Sequence, residues 1–195
     1  PIDVLVAASA LDETAPGVPF IYYGEEVGME GTKPDPRIRT PMPWTADAPS
    51  LGFTTGTPWQ EPFAGYETAN VAAQDSDPES LLNHYRALID LRRSQPALSA
   101  GDTLQVEADA RAVYSILRHT PDEALLVIVN LSAEPVTAYA LTLESGPLTG
   151  TPAASLLWGM GDVSAPQVNA TGGFDAYRPL AALAPHSSAI VRLGR

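Results

Sequence analysis

The sequence contains no cysteine, so disulfides, thiolate-bound zinc and cysteine nucleophiles are excluded. Basic residues are scarce as well. Eleven Lys and Arg stand against 23 Asp and Glu, a formal net charge of −12, and no segment gathers a basic stripe. Nucleic acid and anionic membrane surfaces are therefore poor partners. No apolar run approaches the roughly 20 residues needed to span a bilayer. The opening ProIleAspVal also lacks the basic start and cleavage pattern of an export signal. A soluble protein is expected, its compartment (cytoplasmic or extracellular) left open. The histidines, His84, His119 and His186, are dispersed and no acidic cluster has ligand spacing, so no metal or cofactor is expected in this chain. The first residue is Pro rather than Met, which reads as a fragment or a processed start.

What is present is enough for a folded core. Of 195 residues, 45% are hydrophobic and 17% charged, a globular rather than a disordered composition. Asp3 to Leu11 is small and apolar, which predicts a short buried helix stopped by the AspGluThr and Ala15-Pro16-Gly17 that follow. Val18 to Gly24 (ValProPheIleTyrTyrGly) predicts a strand buried on both faces, as in parallel sheets. From Glu25 to about Gln74 the chain is rich in Gly, Pro and Thr, with Trp44, Phe53, Trp59, Phe63 and Tyr66 among them. A connection that long is usually functional or disordered, and its aromatics favour a packed loop beside a site. Pro78 to Gln95 predicts the clearest helix: Asp77 as N-cap, Leu81, Leu82, Tyr85, Leu88 and Ile89 on one stripe, and Arg92 and Arg93 at the C-terminal end. His84 lies among the stripe residues and reads as structural. Beyond Gly101 the pattern becomes short strands with turn signals, the mark of an antiparallel all-β sandwich.

Three segments, in order, resemble the α-amylase family of glycoside hydrolases. They are Pro16 to Met29 (ProGlyValProPheIleTyrTyrGlyGluGluValGlyMet), Arg39 to Trp44 (ArgThrProMetProTrp) with Gly52 to Trp59 (GlyPheThrThrGlyThrProTrp), and the Asp77 to Arg93 helix. The resemblance implies a fragment of a (β/α)8 barrel, its eighth strand and eighth helix, over residues 1–98, followed by the β-sandwich called domain C over residues 99–195. LeuAlaProHisSerSerAlaIleValArgLeu resembles that domain's closing strand.

The resemblance also implies a substrate, an α-glucan or maltooligosaccharide, and a retaining mechanism. Retaining members use a nucleophilic carboxylate and an acid about 5 Å apart, with a third carboxylate gripping the sugar. No run in this chain matches the family's catalytic segments, so no catalytic residue is assigned and the chain alone is expected to be inactive. The family's calcium sites usually draw on the N-terminal portion of its fold. Glu25 and Glu26 are neighbours on an expected strand, point to opposite faces, and cannot flank one bond. In the family, Gly24 and Glu26 belong to a structural turn near the site, the carboxylate accepting backbone hydrogen bonds. Arg39 matches an arginine at the mouth of the active site; it either donates a planar pair of hydrogen bonds to sugar hydroxyls or pairs with Asp35 or Glu26. Trp44, and Trp59 with it, stacks on a sugar ring or anchors the loop. Trp158 and Tyr177 raise the prospect of a glucan patch on the sandwich, against the alternative of buried packing.

The resulting reading is an α-amylase-type enzyme acting on α-1,4-glucans. The alternatives are an oligo-1,6-glucosidase or other α-glucosidase, in which ThrProMet-x-Trp and GlyPheThrThrGly also occur, and a non-catalytic carbohydrate-binding module.

Overall fold

The computed structural model describes residues 2–194. The chain divides into two compact units, Asp3–Pro19 with the chain from Asp90 onward, and Phe20–Ile89 with Ile2.

The first unit is a three-layer body built on a five-stranded antiparallel sheet. Its strands are β1 (Asp102–Gln105), β3 (Val113–His119), β4 (Ala124–Asn130), β6 (Ala154–Trp158) and β8 (Ser188–Leu193), ordered β1-β3-β4-β8-β6. A three-stranded sheet of β2 (Glu107–Ala108), β5 (Leu141–Leu143) and β7 (Phe174–Tyr177), ordered β2-β5-β7, covers one face. The alternation of strand side chains decides what goes where. In β4, Ala124, Leu126 and Ile128 join Leu141, Leu143, Phe174 and Tyr177 between the sheets. Leu125, Val127 and Val129 face the other way, against Ala7 and Leu11 of helix α1 (Ile2–Thr14) and Ala97 and Leu98 of the short helix α4 (Pro96–Ala100). Every residue of β4 is buried, which is why its sequence is continuously apolar rather than alternating. The register runs Val113↔Asn130 to His119↔Ala124 on one side and Ala124↔Leu193 to Val129↔Ser188 on the other.

Buried polar side chains close the layers. Arg118 is 1% exposed and donates to the carbonyls of Ala97 (3.1 Å) and Leu98 (3.0 Å) and to Thr103 Oγ1 (3.0 Å). Glu123 accepts from the Ala97 N–H at the start of α4 and from Arg192. Asn130, fully buried, donates to the carbonyls of Glu134, Leu183 and Ala184 and so pins the connection into β8. Each satisfies carbonyls or N–H groups that burial would otherwise leave unpaired.

The second unit carries no strand; it is held by short helices and turns around Val27, Met42 and Leu82, with Met29 and Val71 packed against them. Two 3-10 turns, Glu25–Val27 and Asp35–Ile38, precede helix α2 (Val71–Asp75) and then α3 (Leu81–Ser94). Asn70 caps α2, its Oδ1 accepting from Ala73 N–H at 2.8 Å and its Nδ2 donating to the carbonyls of Tyr66 and Glu67. Gln74 donates to the Val27 carbonyl and accepts from Leu82 N–H, joining the turn after Gly24 to the start of α3.

Several local expectations are corrected. Val18 to Gly24 is not a strand: no chain among the described residues pairs with it, and Val18, Phe20 and Tyr22 are 78%, 85% and 55% exposed. A strand forms only where a neighbour takes up its N–H and C=O groups. The first helix runs on to Thr14, because the Ala15-Pro16-Gly17 signal, not AspGluThr, ends it. Helix α3 starts at Leu81, three residues after Pro78, with Ser80 Oγ accepting from Asn83 N–H; Asp77 instead closes a turn on Glu79 N–H. Helix α4 and strand β7 carry no strong sequence signal, being five and four residues long.

Candidate functional site

The second unit contains a cleft of about 510 Å³ lined by Tyr23, Arg39, Thr40, Pro41, Phe53, Trp59 and Gln60. That size suits a small-molecule site, as does an aromatic wall with a few convergent polar groups. A second cleft of about 460 Å³, with Glu30, Arg37 and Glu61 among its lining, shares Thr40 and Gln60 with it.

Three local devices shape the first cleft. Tyr23 donates its hydroxyl to the Thr40 carbonyl at 3.1 Å and so fixes the ArgThrProMet segment against the turn. Burial and then the neighbouring Tyr22 push the Tyr23 phenol above its ordinary value, against a smaller opposing pull from Arg39, which keeps that donor protonated. Arg39 is ion-paired with Asp35 at 3.6 Å, both side chains more than half exposed, and Asp35 is also bonded to Lys33. A pair this exposed adds little stability and leaves the guanidinium free to reorient towards a ligand. Leu51 closes the loop between the aromatics. It is fully buried at φ 53°, its carbonyl accepting from both Trp44 N–H (2.9 Å) and Thr45 N–H (3.0 Å) and its N–H donating to Asp47 O (2.8 Å). A leucine in the left-handed region marks a backbone held against its preference by its surroundings.

The expected residues separate into two groups. Arg39 stands in the cleft wall, with Trp59. Trp44 does not line the cleft; its backbone is fixed by Leu51 O and by Ala72 N–H, which donates to Trp44 O, while its side chain is 48% exposed. Gly24 adopts φ 89°, where a Cβ would stand 2.1 Å from Met29 Sδ, so a larger residue here is strained and must displace the Met29 side chain. At Glu26, one carboxylate oxygen, Oε2, is buried and has no hydrogen-bond partner among the described residues. Glu25 is the engaged carboxylate, accepting from the Tyr85 hydroxyl at 3.1 Å. Tyr23, Phe53 and Gln60 were not singled out by sequence; Tyr23 is hidden in an apparent strand, and only the aromatic content of the 25–74 segment pointed towards Phe53.

The sandwich aromatics turn inward. Tyr177 is 6% exposed and donates to the Ser164 carbonyl, and Trp158 donates to Ser188 Oγ at 3.0 Å and packs with the α1 and α4 layer. Among the described residues no group of three or more His, Asp or Glu is gathered at metal-binding distance, and no helix is long and apolar enough to cross a membrane.

Residues 4–101 match the family model described as alpha amylase, catalytic domain. The chain belongs to the α-amylase family. It is 38% identical over 133 residues to Alpha-amylase 3 of Dictyoglomus thermophilum, covering 67% of this chain and 26% of that protein. To the oligo-1,6-glucosidase of Parageobacillus thermoglucosidasius it is 30% identical over 153 residues, covering 60% of this chain and 27% of that protein. The crystal structure of the trehalulose synthase from Pseudomonas mesoacidophila superposes with a TM-score of 0.70 at 26% identity, over 98% of this chain and 38% of that one. The chain thus spans about a quarter of the length of the curated relatives it matches. The α-amylase family is enzymatic and acts on carbohydrates, and the succession of a helix-and-turn region and two antiparallel sheets agrees with a barrel portion followed by a β-sandwich.

Proposed function

We propose that this chain belongs to an α-glucosidase-type member of the family, one that acts with retention on short α-glucosidic oligosaccharides, including α-1,6-linked ones. In this reading residues 1–98 supply the last stave, the site loop and the last helix of the barrel, and residues 99–195 supply domain C. The carboxylates that break the bond come from earlier barrel strands, where a retaining pair stands about 5–5.5 Å apart. Arg39 donates to sugar hydroxyls, Trp59 and Phe53 lie against an apolar sugar face, and Trp44, outside the cleft lining, anchors the loop. Gly24 and Glu26 shape the turn beneath. The observation that carries the reading is the cleft that joins Arg39 to an aromatic wall, built from the ArgThrProMet and GlyPheThrThrGly segments. Similarity to the oligo-1,6-glucosidase and trehalulose synthase supports the short-substrate side of the family.

Endo-type action on α-1,4-glucans is the second reading, favoured by the 38% identity to an α-amylase. A glucan-binding module is a third, and the inward-facing Trp158 and Tyr177 offer it no platform.

Expression of the coding sequence that contains this chain, assayed on isomaltose, maltooligosaccharides and soluble starch, separates these readings. The proposal expects glucose from isomaltose and short oligosaccharides in preference to starch; rapid shortening of starch with isomaltose untouched assigns the α-1,4 reading instead. Starch binding with no sugar released from any substrate assigns the third. In the active protein Arg39→Ala is expected to lower kcat/KM by about 10- to 100-fold, the loss of a charge-assisted hydrogen bond of about 1.5–3 kcal/mol. An unchanged kcat/KM removes Arg39 from the site.

A further inference from the structure

The sugar-site reading makes no use of Glu13, and the last turn of α1 holds it in an unusual state. Glu13 is 2% exposed, yet its Oε1 has no hydrogen-bond partner among the described residues, and neither has the buried Oδ2 of Asp12 beside it. The cation at hand, Arg92, is itself buried and its guanidinium is committed elsewhere. Its Nη1 donates to the carbonyls of Glu13 (2.6 Å) and Ala15 (3.1 Å), and its Nη2 to Gly17 O (2.6 Å). Arg92 thereby caps the C-terminus of α1 and the turn that leaves it.

The charged groups acting on the Glu13 carboxyl are Arg92 from α3 and Asp12 on its own helix. Arg118 of β3 feels Arg92 in turn, but its own donors are taken by α4 carbonyls and Thr103. An ionised Glu13 is therefore held almost wholly out of water with its Oε1 met by no donor among the described residues, a costly arrangement. It can be relieved in two ways: Arg92 leaves the three carbonyls to pair with the carboxylate, or the last turn of α1 unwinds to bring the carboxylate to water. Both open the same cap.

We propose that Glu13 is a pH-responsive latch on α1: neutral, it leaves the Arg92 cap on residues 13–17 closed, and ionised, it opens that cap. Burial raises the Glu13 carboxyl above its ordinary 4.5, with the nearby Arg92 opposing and Asp12 reinforcing the shift. The folded state therefore holds this proton more tightly than the unfolded chain. The stabilisation is full below the unfolded value and is lost as pH rises towards the folded one.

The test compares the 195-residue chain with Glu13→Gln, which keeps the shape and cannot ionise. Thermal midpoints and amide-exchange protection of residues 10–17 are measured at several values between about pH 5 and pH 9. The native chain is expected to lose midpoint temperature and protection at the end of α1 as pH rises, and the Gln chain to lose less of both. Matching pH profiles overturn the latch. Should the Gln chain not fold, the carboxyl 13C shift of Glu13 in the native chain decides: a midpoint above the ordinary carboxylate range supports the latch, and one near about 4.3 overturns it.

Discussion

The two units solve the problem of burial differently. In the sandwich unit the central strand has a neighbour on each side and a packed layer on each face, and every residue of β4 is buried. In the Phe20–Ile89 unit the core is a handful of residues around Val27, Met42 and Leu82, while Phe20, Tyr22, Phe53 and Trp59 are each more than half exposed. Apolar burial is the main favourable term in folding. The first unit therefore contains its own reason to fold, whereas the second presents aromatic surface and turn geometry suited to receiving something else. Buried apolar packing is concentrated in one and an exposed aromatic cleft in the other.

That contrast can be broken at its strongest point first. Leu126 lies in the middle of β4, fully buried between the sheets, and Leu126→Ala is expected to cost about 2–5 kcal/mol. Denaturant unfolding followed by far-UV circular dichroism reads the loss; a change below about 1 kcal/mol contradicts the placement of the core. Gly24→Ala probes the other unit. Its strained φ and the contact with Met29 predict a cost of about 1–3 kcal/mol confined to the turn. Limited proteolysis should then cut faster within residues 20–74 while the sandwich transition stays where it was; faster cutting beyond Asp102 runs against the division. Asn70→Ala is the mildest change. Losing the α2 cap is worth about 1 kcal/mol, read as faster amide exchange at Ala73 and its neighbours.

How much of this was legible in the sequence follows the same line. The short strands beyond Gly101 and the stripe on α3 are legible locally, β4 as a continuous apolar run and α3 as helical spacing. The second sheet was harder: β2 is two residues long and β7 four, too short to carry a pattern. The strand expected at Val18 to Gly24 failed for a non-local reason, since a stave is defined by its neighbours as much as by its residues. At the site, Arg39 was legible through its motif, and Gly24 through its place in ProPheIleTyrTyrGly. The Tyr23 hydroxyl reaching Thr40 and the left-handed Leu51 holding Trp44 were not, because both depend on a loop path that no spacing rule encodes.

The claim on which the functional account rests is that this chain contributes sugar-facing walls and no bond-breaking carboxylate pair. Incubating the purified 195-residue chain with isomaltose and maltooligosaccharides and measuring reducing sugar tests it most directly. The account predicts release no faster than in buffer, and release at enzymatic rates, of the order of one turnover per second or more, contradicts it.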